Sequence, residues 1–253
     1  MRKVILFTPI HPLMLMVMLF IMIVSISAYT IIIFSSWKIF EREVESIGLK
    51  SIEAAILAYI ISLASIALSP VNIVVKEFRE EYLVPTIEFI EYFGIPVPTP
   101  RLKLRERVSF LTVNVGGALI PTVISLFIML RLLQLGYLNL LLGMIVALIV
   151  VSIVTFLASR PIPGVGIVSP MFIPPLTATA ISLLVAPKPL CAFPIAYVSG
   201  TLGTLIGADI LHLMLDWDKI KAQVISIGGA GTFDGIYLTG ILSTILLAIL
   251  ILW

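Results

Sequence analysis

The chain has 253 residues, of which 60% are hydrophobic and 12% are charged, and its mean hydropathy is +1.19. Soluble globular domains carry about a quarter of their residues as Asp, Glu, Lys and Arg, so this composition excludes an ordinary soluble domain. The net charge of +2 is too small to indicate a nucleic-acid partner. We therefore expect an all-α integral membrane protein that has no soluble domain of any size.

Seven apolar runs are candidates for transmembrane helices, because crossing the hydrocarbon core takes roughly 20 residues. They cover residues 12–35, 52–75, 108–133, 138–159, 172–186, 190–215 and 231–253. No small-residue cleavage site follows Arg2 and Lys3, which indicates a retained first span and not a signal peptide. The fifth run lies between Pro174 and Pro187, so it either crosses the membrane or forms a re-entrant half-helix.

The basic residues indicate an orientation, because cytoplasmic loops retain an excess of Lys and Arg. Seven crossings place 11 of them on one side and 5 on the other, whereas a re-entrant fifth segment gives 10 against 6. The larger bias favours seven crossings with the N-terminus in the cytoplasm. We accordingly divide the chain into a two-span region (1–75), a cytoplasmic amphipathic and basic linker (76–107) and a membrane core (108–253).

Within the linker, residues 77–93 place apolar and aromatic side chains at helical spacing among carboxylates, which predicts an amphipathic helix on the membrane surface. Residues 94–107 contain three prolines and a basic cluster, so they are not expected to form regular helix. A solvated linker without a docking role is the favoured interpretation of these charges.

Two glycine pairs interrupt the membrane core at the third and last runs. The sequence TVNVGGA at 112–118 recurs as VISIGGA at 224–230, an offset of 112 residues. The β-branched residue before each pair suits an extended entry with helix after it, and both copies would run parallel. Free N–H groups would then point at a common site, as in transporters, although close helix packing explains paired glycines equally well. The candidate binding residues are Asn114, Gly116, Gly117, Gly228 and Gly229.

A third interruption begins at Arg160, a further candidate binding residue. Residues 160–175 contain five prolines and two glycines, which exclude a continuous helix, yet the residues between them are apolar. This pattern predicts irregular backbone that is buried in protein or lines a cavity. The alternative is a rigid surface turn between two spans.

The fourth interruption brings ionisable residues into the sixth run. Gly203 and Gly207 form a GxxxG face, and Asp209 and His212 follow on nearby positions. An ionisable residue inside a span costs roughly 2.5 to 3.5 kcal/mol, so its presence indicates function. Asp234, at the start of the last run, is the expected partner of Asp209.

The two aspartates fit a shared site if their helices place them at similar depth. Close together, they could not both ionise cheaply, so the pair would hold one proton, with His212 as a second titratable group. The alternative is that Asp209 and His212 are hydrated at the interface and that Asp234 caps a helix.

Four segments resemble an uncharacterised family of archaeal and bacterial membrane proteins, the domain of unknown function 1614. They are NVGGALIP, RPIPGVGIVSPMFIPPL, FPIAYVSGTLGTLIGADILHL and ISIGGAGTFDGIYLTGIL, and the likeness covers about the C-terminal two-thirds of the chain. It implies a prokaryotic multi-pass protein of the cell (plasma) membrane, and it implies no activity.

A looser resemblance is to intramembrane aspartyl proteases, which pair two aspartates on neighbouring spans. It implies Asp209 and Asp234 as catalytic residues. The chain departs from the protease pattern, because Gly231, Thr232 and Phe233 precede Asp234 and no tyrosine precedes Asp209.

Two functional hypotheses follow. The preferred one is a carrier that binds a small solute or ion at Asp209, His212 and Asp234 with proton coupling. The alternative is an intramembrane hydrolase that cleaves a transmembrane peptide with the diaspartyl pair. We expect no metal and no cofactor, because the two histidines, His11 and His212, are too few for a typical zinc site and no HExxH motif occurs. Membrane lipid is the expected partner, and a homo-oligomer is left open.

Overall fold

The computed structural model describes residues 4–6, 12–40, 47–92, 95–220, 222–229 and 234–252. Arg2, Lys3, His11 and residues 231–233, which entered the sequence analysis, lie outside these ranges. The helices are α1 (Pro12–Phe40), α2 (Ile47–Leu68), α3 (Ile120–Gln134), α4 (Leu138–Ala158), α5 (Ile173–Val185), α6 (Pro189–Thr204), α7 (Leu211–Leu215), α8 (Trp217–Ile220) and α9 (Gly235–Leu252). The strands are β1 (Val4–Leu6), β2 (Val71–Tyr92), β3 (Ile95–Asn114), β4 (Arg160–Ile162), β5 (Gly166–Val168) and β6 (Val224–Ile227).

Each of the seven apolar runs overlaps one apolar helix. Four helices in the described ranges are long and apolar enough to cross a membrane: Met16–Ile39, Val115–Gln134, Leu138–Ala158 and Pro189–Leu215. Three shorter apolar helices cover Ile52–Leu68, Ile173–Val185 and Gly235–Ile251. The 13 residues of α5 span about 20 Å, less than the roughly 30 Å of a hydrocarbon core. Seven crossings and a cytoplasmic N-terminus therefore stay predictions.

The helix Pro189–Leu215, which comprises α6 and α7 and is called the central helix below, forms the centre of the bundle. In its most apolar 18-residue stretch 78% of the residues are buried, against 28–39% in the other three long helices. It packs against α1, α3, α4, α5 and α9. Small residues permit this contact: a Cβ at Gly207 would overlap the carbonyl oxygen of Ser152 in α4, and one at Gly203 would lie 2.7 Å from Val151 Cγ1. The GxxxG prediction of close helix approach is confirmed.

The all-α prediction is wrong in part, because a four-stranded sheet of order β1-β2-β3-β6 accompanies the helices. Its main feature is a long antiparallel hairpin of β2 and β3, paired from Asn72 with Asn114 to Tyr92 with Ile95. Residues 71–75 and 108–114 belong to these strands and not to the second and third helices. The amphipathic helix expected at 77–93 is likewise wrong, because these residues lie in β2 up to Tyr92.

The prolines of this hairpin account for the strands. Pro85 is paired with Leu102, and Pro96, Pro98 and Pro100 lie opposite Glu91, Phe89 and Ile87. All four therefore fall in one alternate set of cross-strand pairs, the set whose backbone nitrogens point away from the ladder, where a missing N–H costs nothing. A spacing of two between prolines is thus compatible with an edge strand while it excludes a helix.

The same alternation separates the side chains of the hairpin into two faces. Ile87, Phe89, Leu102 and Leu104 share one face, where each is 65–69% exposed. Charged residues such as Arg101 occupy the opposite face of the ribbon. The amphipathic character expected from the sequence is real, but its period is two and not 3.6.

Two short strands form the first part of the interruption at 160–175. β4 and β5 form a small antiparallel hairpin, with Gly164 at φ +80 and Gly166 at φ +125, conformations that favour glycine. Pro174 and Pro175 then begin α5, where the missing N–H groups have no helical acceptor. The prediction that this segment is not a continuous helix is confirmed.

Candidate functional site

The first glycine pair lies where β3 passes into α3. Asn114 is extended (φ −76, ψ 129) and is followed by a π-helical segment, Val115–Leu119, that continues into α3. Its Oδ1 accepts the Gly117 N–H at 2.6 Å, while its Nδ2 donates to the Ser69 carbonyl at 2.6 Å and to Asn72 Oδ1 at 3.2 Å. Asn114 is fully buried. The polar groups of this first junction, between β3 and α3, are therefore satisfied by the Asn114 side chain, by the turn after α2 and by β2.

The second glycine pair follows β6. Gly228 and Gly229 have φ of +83 and +63 and form a turn in which the Gly229 N–H donates to the Ser226 carbonyl at 3.3 Å. Helix α9 begins at Gly235, and Asp234 Oδ2 accepts the Ile236 N–H at 3.1 Å. The expected extended entry is confirmed at both pairs, but helix follows directly only at the first, because a glycine turn follows β6 at the second.

The two entry strands lie side by side. β3 and β6 pair in parallel, with Thr112 opposite Ser226 and Val113 opposite Ile227. The parallel arrangement expected from the repeated pattern is confirmed, with the spatial register shifted by two residues from the sequence match, so that the same faces stay aligned. Ser226 Oγ donates to Asn72 Oδ1 at 2.7 Å, which joins the second strand to the polar network of Asn114.

Asp209 extends from the central helix to the second junction, which is the Gly228–Gly229 turn between β6 and α9. It lies in a second π-helical segment, Leu205–Ile210, between α6 and α7. A π-helical turn adds one residue, so Thr204 and Asp209 occupy nearly the same face, although five positions separate them. Asp209 is 9% exposed, and its Oδ2 accepts the Gly228 N–H at 3.0 Å.

Both carboxylates therefore meet the same glycine turn. Asp209 accepts the N–H of Gly228, and a Cβ at Gly229 would lie 2.8 Å from Asp234 Oδ1. The two carboxyl groups thus lie against neighbouring residues of one two-residue turn. On its other side Gly228 packs against Ala118 in the first π-helical segment, where a Cβ would overlap that of Ala118.

Two cavities adjoin the pair, and Asp209 and Asp234 line both of them. The smaller, of about 140 Å³, is closed by β6 and by residues around Ile167. The larger, of about 220 Å³, is lined further by Ser169, Thr204 and Gly235. The arrangement places two acidic groups in enclosed space beside irregular backbone, a setting suited to binding a small polar species.

The structure does not bring His212 to this pair. His212 Nδ1 lies 2.8 Å from Asp216 Oδ2, and its Nε2 lies 3.2 Å from the Phe156 carbonyl of α4. Asp216 also accepts a bond from Lys219 Nζ at 2.6 Å. Lys219 first and His212 second hold the pKa of Asp216 below its usual value. This group is an ion-pair cluster at the end of the central helix, outside the lining of both cavities.

The remaining candidates are also separated from the carboxylates. Arg160 is exposed at the start of β4 and lines neither cavity. Gly116 is a packing residue, because a Cβ there would overlap the Ser65 carbonyl oxygen at the end of α2. The N–H of Gly117 is taken by Asn114. Of the two explanations for the first glycine pair, close packing is the one that its contacts support.

Three polar residues of this region were not predicted from the sequence. Asn72 hydrogen-bonds to Asn114 at the first junction, and Ser169 and Thr204 line the larger cavity. Asn72 and Ser169 lie at a strand start and after a short hairpin, neither of which hydropathy indicates. Thr204 precedes Asp209 by five residues, and in a regular helix the two would face about 140° apart. The π-helical turn that aligns them has no sequence signature that could have indicated it.

Four apolar helices that are long enough to cross a membrane indicate a helical membrane protein. The chain belongs to the family described as protein of unknown function (DUF1614), whose model matches residues 66–246. The match includes both junctions and the central helix, and it confirms the resemblance drawn from the four segments. No curated protein and no solved structure matches the chain. The looser resemblance to intramembrane aspartyl proteases is not supported.

Proposed function

We propose that this protein is a carrier of the prokaryotic plasma membrane that binds a small solute or ion at Asp209 and Asp234. The observation that carries the proposal is the convergence of two carboxylates, from α9 and from the central helix, on the Gly228–Gly229 turn. Ionisable residues at membrane depth are costly and are kept where they bind substrate or protons.

The broken helices support a binding role over a purely structural one. Discontinuous helices and unwound backbone line the substrate and ion sites of transporters, because irregular backbone is tolerated at membrane depth only beside protein or a cavity. Here the central helix is interrupted by a π-helical turn at Asp209, and α9 is preceded by a glycine turn. Both interruptions adjoin the same two cavities.

Proton coupling follows from the charges of the pair. Two neighbouring carboxylates repel each other when both are ionised, so a proton or a cation between them lowers the energy. Binding of a cationic or hydrogen-bonding solute would then displace a proton. The backbone N–H bonds to Asp209 and Asp234 hold the two groups in place through either state.

Reconstituted liposomes test the proposal. Purified protein is placed in vesicles that enclose a pH-sensitive dye, and alkali-metal salts, amino acids and monosaccharides are added outside in turn. We expect at least one addition to move protons with the wild type, and Asp209→Asn and Asp234→Asn to abolish that movement. Asp218→Asn is the matched control, since this exposed aspartate lies just beyond the central helix.

The hydrolase hypothesis gives the opposite pattern. If no addition moves protons, and cleavage of a reporter transmembrane peptide is lost with each asparagine variant, the carrier proposal is wrong. Both asparagine substitutions keep the shape of the side chain and an oxygen acceptor for the backbone N–H. Loss of function with unchanged thermal stability therefore reports on charge and not on folding.

A further inference from the structure

The larger cavity beside the carboxylates is lined by hydroxyl groups that have no hydrogen-bond partner among the described residues. Thr204 is 1% exposed, and its Oγ1 is buried without a hydrogen-bond partner among the described residues. The same holds for the hydroxyl of Ser169. Both residues line the 220 Å³ cavity together with Asp209 and Asp234. Ten buried side-chain hydroxyls lack a partner among the described residues, and Thr204 and Ser169 are the two of them that line this cavity beside the carboxylates. Buried polar atoms are normally paired, so a ligand in this cavity would supply the partner of both.

The backbone explains why these hydroxyls reach the carboxylates. The π-helical turn aligns Thr204 with Asp209, and Thr204 lies beside the start of α9, where a Cβ at Gly235 would make an ordinary contact of 3.6 Å with Thr204 Cγ2. Ser169 follows β5, where the chain turns toward α5. Four oxygen-bearing side chains from three separate parts of the chain therefore face one space.

The donor set is made of oxygen alone. A carboxylate has about four acceptor positions, so one backbone N–H bond to each leaves Asp209 and Asp234 able to bind a cation. Hydroxyl oxygens add neutral ligands. In the described part of the chain no group of three or more His, Cys, Asp and Glu side chains is placed to hold a metal ion. Zinc and other metals that favour nitrogen or sulfur are therefore poorly served.

We propose that Asp209, Asp234, Thr204 and Ser169 bind a sodium ion in the larger cavity. This inference deepens the proposed carrier function by naming a coupling ion. A calcium ion usually takes six to eight oxygen ligands, more than the four side chains supply, and magnesium dehydrates reluctantly and demands near-octahedral geometry. One sodium ion and one proton neutralise the two carboxylates, which suits a group enclosed by apolar helices.

Thermal unfolding of the detergent-solubilised chain tests the site directly. The protein is melted in sodium, potassium or choline chloride at equal ionic strength, so that general screening is the same. We expect sodium at about 100 times its dissociation constant to raise Tm by roughly 5 °C relative to choline, and potassium to raise it much less. Equilibrium binding of radioactive sodium provides a second readout that does not depend on stability.

Thr204→Val removes the hydroxyl at nearly constant volume. The matched control is Thr201→Val, one turn earlier in the same helix, which is also buried but lines neither cavity. We expect Thr204→Val and Ser169→Ala each to weaken sodium binding at least tenfold and Thr201→Val to leave it unchanged. If Thr204→Val does not fold, Ser169→Ala and the comparison of salts on the wild type decide the question.

The outcomes separate this inference from the carrier proposal. Equal Tm in sodium, potassium and choline, with solute-driven proton movement still abolished by Asp209→Asn, overturns the sodium site and leaves the carrier. Sodium binding lost in Thr204→Val, with no proton or solute movement in any vesicle, overturns the carrier and leaves the sodium site. Stabilisation by calcium at micromolar concentration without a sodium effect also overturns the sodium site.

Discussion

The two glycine pairs begin from the same pattern and reach opposite arrangements. At the first, an extended strand ends in Asn114, and the same side chain caps the helix that follows. At the second, the N–H of Gly228 is taken by Asp209 from another helix, while Asp234 caps α9. The strands are parallel neighbours, so the local geometry before each pair is alike.

The difference lies in where the hydrogen-bond partners come from. Asn114, the Ser69 carbonyl after α2 and Asn72 of β2 satisfy the first junction with neutral groups. The second junction uses two carboxylates and borders two cavities. A neutral, self-contained junction is suited to anchoring helices, whereas a junction held by titratable groups from separate helices can respond to a bound ion.

The largest effect is expected from Gly228→Ala, which breaks the second junction. The residue has φ of +83, which costs an L-residue about 1–2 kcal/mol, and the new Cβ would overlap that of Ala118, adding about 1–3 kcal/mol. We expect Tm to fall by roughly 4 to 10 °C in a thermal melt, with loss of ion or solute binding, because the Asp209 bond is displaced.

Gly164→Ala separates the two causes. Gly164 has nearly the same φ of +80, but nothing lies within 4 Å of a Cβ there. We expect a loss of roughly 2 to 4 °C from backbone strain alone, with binding unchanged. Equal losses in the two variants would show that contact with Ala118 does not hold the turn.

The sequence predicted the junctions better than it predicted what surrounds them. The extended entry, the parallel copies and the GxxxG contact depend on short-range preferences of glycine and β-branched residues, which act within a few positions. The pairing of Asp209 with Asp234 was expected from their similar depth on neighbouring spans, whereas the two cavities that they line were not. Thr204 could not be predicted, because its position depends on a π-helical turn stabilised by tertiary packing.

The hairpin of β2 and β3 was missed for a different reason. Its apolar residues fit helical spacing over a short window, and charged residues between hydrophobic runs are typical of surface helices as well as of exposed ribbons. The decisive signal was the proline spacing: Pro96, Pro98 and Pro100 alternate, which only an extended chain accommodates. A single sequence can supply that argument when periodicity is ambiguous.

A smaller effect is expected from Asn114→Ala, which breaks the first junction. The change removes the cap of Gly117 and leaves the buried Ser69 carbonyl without its donor, a loss of about 2 to 3 kcal/mol. We expect a lower Tm, while the wild-type selectivity among salts is retained at temperatures where the variant is folded. Ser226→Ala, which loses only its bond to Asn72, should cost about 1 kcal/mol.

That experiment addresses the division of roles directly. Loss of sodium selectivity in Asn114→Ala, at a temperature where circular dichroism shows a folded protein, would place the first junction in the binding site. Retained selectivity with reduced stability would agree with an anchoring role. Gly116→Ala cannot serve as a control here, because its Cβ would overlap the Ser65 carbonyl oxygen.

The smallest effect concerns Asp216, which tests whether His212 belongs with the carboxylate pair. The pKa of Asp216 is lowered, first by Lys219 and then by His212, so its ionised form stabilises the folded state. A lowered folded-state pKa gives stability that is complete above the unfolded value of about 3.9 and is lost as the pH falls through the folded-state pKa. Asp216→Asn should therefore melt slightly below the wild type at neutral pH, and the two Tm values should converge in acid.

Sodium binding should be the same in both proteins, and in His212→Gln, because His212 bonds to Asp216 and Phe156 and lines neither cavity. If His212→Gln instead abolishes sodium binding as completely as Asp209→Asn, the ion-pair cluster and the second junction act as one site, and the boundary drawn between them at the end of the central helix is wrong.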